Sequence, residues 1–563
     1  MGVLITAALV YVLYRAAHHM TAAPLPLEFV RVTGSGDIQQ ADISPDGKFV
    51  AYLRETEGKQ SLWLKQLATG SDVPIATLGE DQCSGMAFSP DGSYVYFVRQ
   101  DPLKTNGDLY QVPSLGGAPR KMLTGISGPP AFSPDGQRAA FVRDTPGAES
   151  LLTASLDGSG ERVLASYKAP EQIFPPRVGW SPDGKTLAFT HYTPQRILTT
   201  IPAEGGPAEA VAGAQWREIK DLTWLPGSDD LIVVGLLSGS FQLYEVSPQA
   251  GEVRQLTRDL SRYKGIRSSA EGKILLALQE QILATLQLTM PGKESEAKIL
   301  SAGNQNRDGD NGLAWTPEGK IVYASVPNGR YDLWEMDADG SNRQRLTNND
   351  EFSISSQPAA SPAGGFVAYT RYEQNGQYTI WRIDLDGTHP EQLTQGKEDL
   401  APAISPDGRW VIFAEASVGK TVLMKVPSQG GSASQLTDYN LDAPSISPDG
   451  KWIACLYSPT QSQGASLAIL PFAGGEPVKV FPLPATATIL GPRWTPDGRA
   501  LSFIKNVGGV GNIWEQPVEG GPPKQVTHFS SERIFRFDWF RDGRLAISRG
   551  ADQTDAVLIK NFR

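Results

Sequence analysis

The sequence predicts an all-β protein: two tandem six-bladed β-propellers, twelve four-stranded blades in all, following a short N-terminal apolar helix. Three observations carry this. A turn tetrapeptide recurs along nearly the whole chain, its copies stand one blade length apart, and the two chain ends supply complementary strands.

The tetrapeptide reads Ser44-Pro45-Asp46-Gly47, Ser89-Pro90-Asp91-Gly92, Ser133-Pro134-Asp135-Gly136 and Ser181-Pro182-Asp183-Gly184, then Thr316-Pro317-Glu318-Gly319 and Ser361-Pro362-Ala363-Gly364. It returns as Ser405-Pro406-Asp407-Gly408, Ser447-Pro448-Asp449-Gly450 and Thr495-Pro496-Asp497-Gly498. Decayed copies stand at Leu225-Pro226-Gly227, Ser269-Ala270-Glu271-Gly272 and Phe540-Arg541-Asp542-Gly543. Successive copies are 42 to 48 residues apart, the period of a four-stranded blade. Ser first, Pro second with φ near −65°, and Gly fourth suit a type I turn.

Around each turn stand four short apolar runs. In one repeat, Ala403-Ile404-Ser405 leads in, Trp410 to Ala414 returns and Val422 to Val426 makes a third run; Gly430-Gly431 then turns into Ser434-Gln435-Leu436-Thr437. Gly 58 and Pro 42 spread along the chain fit many tight turns, and 563 residues exceed what one core supports.

Ring closure follows from the ends. Phe29 to Thr33 resembles a fourth strand with no first three ahead of it, and Val557-Leu558-Ile559 a third strand with no fourth behind it. The first ring is expected over 28–290, closed by the strand near 29 to 33. A link is expected at 291–297, and the second ring over 298–563, closed by Lys298-Ile299-Leu300. One ring of twelve would leave a wide void, and seven plus five blades is the alternative division.

Gly2 to Tyr14 is an uncharged apolar stretch, so residues 1–20 are expected to be a membrane anchor, with a signal-like segment as the alternative. Arg15 on its C-terminal flank would by itself favour a cytoplasmic domain, which leaves orientation open at this level. A net charge of −10 argues against a nucleic-acid partner. Cys83 and Cys455 stand far apart and read as buried hydrophobes.

The Ser-Pro-Asp-Gly turn with its following apolar strand, and the later Gly-Gly turn leading to Leu-Thr, resemble the WD40-like PD40 repeats of TolB-type propellers over about residues 28–563. The apolar start, the Pro-Leu-Glu-Phe lead-in and the ending Asp555 to Phe562 are similar to the C-terminal, extracytoplasmic half of acidobacterial membrane-spanning serine/threonine kinases. This chain has no Gly-rich phosphate loop, H-R-D or D-F-G, so kinase activity does not carry over. The resemblance implies a sensory or interaction module at a bacterial cell membrane, single-pass, with extracytoplasmic (periplasmic) propellers.

No catalytic, metal or cofactor site is expected. The chain lacks a G-x-S-x-G nucleophile elbow, and its five histidines are scattered except for His18 and His19. Asn306, Asp308 and Asp310 alternate as half of a calcium loop would, but Asn311 replaces the expected Gly and a polar turn fits better. Rim loops are then the expected binding face, with Glu351, Phe352, Tyr439, Asp442, Arg533 and Phe535 in the second ring and Arg258, Arg262 and Tyr263 in the first. The expected function is non-catalytic binding of a protein or small ligand in the envelope. The alternatives are an exported peptide or glycan hydrolase or lyase using channel carboxylates, and a TolB-like periplasmic component of an envelope complex.

Overall fold

The computed structural model describes residues 26–562 apart from 57–58, 80, 102–103, 146, 169–170, 194–195, 238–239, 260, 302–306, 328, 350–352, 374–375, 397, 418–419, 459–464, 484–490 and 508. The apolar segment 1–20 lies outside the described residues. Among the described residues no helix is long and apolar enough to cross a membrane, and the one helical element is a 3-10 turn at Glu294–Glu296.

The recurring tetrapeptide sets the strand ends. In its first copy the Gly47 N–H donates to the Ser44 carbonyl at 2.8 Å, which closes the turn. The Ser44 hydroxyl donates to Asp46 Oδ1 at 2.7 Å and accepts from the Phe49 N–H at 2.9 Å. Gly47 holds φ +68°, where a Cβ is disfavoured. The same hydroxyl-to-Asp and amide-to-hydroxyl contacts recur at Ser89, Ser133, Ser181, Ser405, Ser447 and Thr495.

Among the described residues, eight four-stranded sheets form around these turns as antiparallel meanders in chain order. One runs Asp399–Ile404, Trp410–Ser417, Lys420–Pro427 and Ser434–Gln435. A seven-stranded sheet arises because Arg120–Phe132 is shared: its first part pairs with Gly107–Pro113 and its last part with Arg138–Thr145. Second strands are buried on both faces, as Val411, Ile412, Phe413 and Ala414 are, because each sheet packs on two neighbours.

The six-stranded sheet joins the chain ends to its middle. Leu275–Thr289 and Leu545–Lys560 are long strands that pair antiparallel from Leu275↔Ile559 to Thr289↔Leu545. Around their first and last parts respectively lie Arg262–Ser268 and Glu28–Arg31, the latter paired through Phe29↔Ile559. Around their other parts lie Lys298–Ile299 and Arg533–Trp539. Residues 291–297, expected as a link between rings, connect two neighbouring strands of this one sheet. The two long strands themselves pass from the N-terminal half of the protein into the C-terminal half.

Inner strands follow one another around each half. In the N-terminal half Ile38–Ile43, Gln82–Phe88, the end of Arg120–Phe132, Val178–Trp180, Glu218–Trp224 and Arg262–Ser268 are neighbours in turn, and the last returns to the first. In the C-terminal half the inner strands run from Leu313–Trp315 to Arg533–Trp539, which lies against Leu313–Trp315 again.

Candidate functional site: a cavity between the two halves

Inner strands alternate side chains between the packed sheet and the central space, so their polar residues collect there. Three inner-strand aspartates tie one sheet to the next. Asp42 accepts from the Phe88 N–H at 2.7 Å, Asp221 from the Ile266 N–H at 3.1 Å and Asp538 from the Trp315 N–H at 2.9 Å. Arg267 bridges two of them, 2.7 Å from Asp221 Oδ2 and 3.9 Å from Asp42 Oδ1. Burial raises the Asp42 carboxyl to about 6 against the opposing pull of Arg267. These carboxylates are bound into the framework and are poorly placed to act on a substrate.

A cavity of about 510 Å³ lies where the long strands cross from one half to the other. Ile282 and Asp552, which pair there, both line it. The N-terminal half contributes Lys220, Phe241, Arg262 and Glu280, and the C-terminal half Arg307, Asp310, Tyr331, Arg533, Phe535 and Arg536. Leu236 and Phe241 flank a connection between second and third strands, as do Tyr372 and Tyr378. The corresponding rims of the two halves therefore face one another. Arg217 of one half stacks on Tyr372 of the other, 3.7 Å from the ring centroid.

Each cavity carboxylate has a cation. Glu280 receives Lys264 at 2.5 Å and Arg262 at 3.4 Å. Burial would raise its carboxyl, but Arg262 and Lys264 together hold it below its ordinary value. Asp310 receives Arg307 at 2.6 Å and the Tyr331 hydroxyl at 2.7 Å, and burial followed by Asp310 pushes that phenol well up. Asp552 receives Arg533 at 3.2 Å, and burial raises its carboxyl. Asp310 Oδ1, Asp552 Oδ1 and Arg533 Nε are nonetheless buried without a hydrogen-bond partner.

Of the cations lining this cavity, two have no carboxylate within ion-pair distance among the described residues. Lys220 Nζ sits 4.0 Å from the centroid of Phe241, and burial followed by repulsion from Arg262 lowers its pKa. Arg536 donates only to the carbonyl of its neighbour Phe535, at 3.0 Å, and burial followed by Arg493 lowers its pKa. Lys220 also lines a cavity of about 320 Å³ in the N-terminal half, and Arg536 one of about 200 Å³ in the C-terminal half.

Of the rim residues read from sequence, Arg262, Arg533 and Phe535 meet in this cavity, and Asp442 lines the smaller one beside Arg536. Tyr439 stands apart, packed edge-on against Tyr457. Arg258 is exposed elsewhere. Tyr263 is no rim residue: it is fully buried in the core, with its hydroxyl donating to Asp259 at 2.7 Å. Glu351 and Phe352 lie outside the described residues. Asp308 and Asp310 are turned to different partners, Ser325 and Arg307, and no cluster of three metal-ligating side chains occurs among the described residues. Sequence reasoning missed Lys220, Glu280, Asp552 and Arg536, whose only signal was a charged residue within an inner or long strand.

Fold and site define a β-propeller protein with a ligand-sized cavity enclosed between two facing rims. The chain belongs to the TolB β-propeller (PD40) family, whose model matches residues 32–204 and 307–442, more than half of its length. It is similar to the uncharacterized protein Atu1656 of Agrobacterium fabrum, at 24% identity over 48% of this chain and 93% of that protein. It also resembles the uncharacterized peptidase YuxL of Bacillus subtilis, at 27% identity over 30% of this chain and 25% of that protein. The protein TolB homolog of Chlorobium chlorochromatii is 31% identical over 18% of this chain and 22% of its own length. The chain thus spans about a quarter of the peptidase and of the TolB homolog.

Proposed function

We propose that the chain is a non-catalytic binding module made of two six-bladed rings, drawn mainly from residues 28–290 and 298–563 and exchanging their long strands Leu275–Thr289 and Leu545–Lys560, held at a bacterial membrane by residues 1–20 and working in the cell envelope. The succession of six inner strands in each half supports the division, and relatives named TolB support the envelope setting. The observation that carries the binding role is the convergence of charged and aromatic side chains from both halves on one cavity. Its carboxylates are engaged by cations, and among the described residues no histidine lines it to activate the lining serines Ser240 and Ser356.

The test is a thermal-shift screen of the full chain against peptides and envelope metabolites, run beside a hydrolase and lyase screen. Ligands that raise Tm without being turned over support the reading. Turnover that disappears in Asp42→Asn or Asp552→Asn would overturn it in favour of an exported enzyme with channel carboxylates. Alkaline phosphatase fused after Arg563 is expected to be active in a bacterial host.

A further inference from the structure

We infer that the cavity between the halves is a carboxylate-binding site in which Lys220 and Arg536, one from each half, are the anion-receiving groups. The inference rests on the binding role proposed above and names its ligand chemistry.

Three observations lead to it. First, the cavity's own carboxylates Glu280, Asp310 and Asp552 are matched by Lys264 with Arg262, by Arg307 and by Arg533, so Lys220 and Arg536 are left over. A half-buried cation with no carboxylate at ion-pair distance costs stability, because its desolvation is only partly offset by more distant opposite charge. A bound anion supplies the remainder. Second, Asp310 and Arg533 carry buried polar atoms without partners at the same wall, and Asp310 is only 8% exposed. Asp310 Oδ1 can accept and Arg533 Nε can donate, which suits a ligand bearing amide groups as well as carboxylates. Third, each leftover cation stands where two cavities share a wall: Lys220 joins the central one to the N-terminal cavity, and Arg536 joins it to the C-terminal one. Phe241 lies under Lys220 and Phe535 adjoins Arg536, so apolar surface flanks both anion positions.

The shared chemistry is a carboxylate. A small dicarboxylate and an acidic peptide can both supply it, and the two are separated by experiment. The full chain is titrated calorimetrically with glutarate, and with a short Glu- and Phe-containing peptide whose C-terminus is amidated, at low and high ionic strength. Wild type is compared with Lys220→Met, Arg536→Met and Lys220→Arg. Binding of either probe is expected to weaken at least tenfold in each Met variant, to survive in Lys220→Arg and to fall with salt. Binding of glutarate alone identifies a small-molecule site, and binding of the peptide alone a peptide site; both outcomes keep the carboxylate assignment.

The Met variants carry a second readout, since removing a buried cation that has no ion-pair partner should leave Tm unchanged or raise it without ligand. A fall in Tm would mean that the cation holds the fold together, and would overturn the inference. So would unchanged affinity in both Met variants, or a wild type that binds neither probe. A wild type that binds other ligands in the thermal-shift screen but neither carboxylate probe sinks this assignment and leaves the binding role standing.

Discussion

Thr33 donates its hydroxyl to Asp555 at 2.9 Å, although 522 residues of chain separate them. Asp555 Oδ1 also accepts from the Gly36 N–H at 3.2 Å, its other oxygen pairs with Arg31, and the Ala556 N–H returns a bond to Thr33 Oγ1 at 2.9 Å. The side chain of one residue thus fastens the N-terminal strand to the last strand. Asp555→Ala leaves the buried Thr33 hydroxyl and the Gly36 N–H without this acceptor, at about 1–3 kcal/mol for a buried group. The expected result is a urea midpoint shifted down by a loss in that range, with Asp555→Asn intermediate. Deleting residues after 552 should do more, since it removes the strand that pairs with Phe29 and Leu275.

Acid should act on the turns and on Asp42 in opposite directions. In the turns, the Ser44 hydroxyl lowers the Asp46 carboxyl, and the same cause lowers Asp91, Asp135, Asp183, Asp407 and Asp449, with Thr495 doing so for Asp497. A carboxyl depressed in the folded state contributes stability above its unfolded pKa, and that contribution is lost as pH falls through the folded value. Asp42 is raised to about 6 instead, so the folded state binds the extra proton and stability declines as pH rises from about 4 to 6. Denaturation curves across pH 2 to 7 should therefore show acid loss below about 4, and Asp42→Asn should flatten the opposing slope between about 4 and 6.

The turn was legible because its chemistry is local: Ser44, Asp46 and Gly47 each make their contact within five residues. The unmatched strands at the chain ends were legible by counting, and Phe29 does pair beside Ile559. The crossing was not. Leu275–Thr289 reads as one strand with Gln279-Glu280-Gln281 in its middle, and nothing local says that its first part belongs to one half and its last part to the other. Because that crossing turns the two rims toward each other, Lys220 and Arg536 could not be brought together from sequence. Tyr263 misled because an aromatic residue beside Arg262 in a rim segment has the composition of a contact surface, whereas alternation points it into the core.

Both cysteines should be silent in the native protein. Burial pushes the Cys83 thiol up to about 12 and raises that of Cys455 further, and neither is exposed. Thiolate is the reacting form, so modification requires unfolding. Ellman's reagent is expected to find no thiol in the folded chain and two in strong denaturant. Reaction of one thiol under native conditions would show local opening of the sheet that holds it.

Gly85 sets how closely two inner strands approach. It lies in Gln82–Phe88 opposite Gly128 and Pro129 of the shared strand Arg120–Phe132, and a Cβ at Gly85 would fall 2.2 Å from the Pro129 Cα and 2.6 Å from the Gly128 carbonyl carbon. Those are backbone atoms, so no rotamer change relieves the contact and one inner strand must move outward. Neighbouring sheets would then lose fit at Met86, buried between them. Overpacking of this kind costs about 1–3 kcal/mol, and here the upper end is expected because the obstacle is main chain on the strand that serves two sheets. Gly85→Ala should lower the urea midpoint accordingly, while Gly70→Asn, at a turn with φ +73° and nothing within 4 Å of a Cβ, should stay within about 1 kcal/mol of wild type. Equal losses at the two positions would mean that backbone conformation, and not the close approach of strands, governs both glycines.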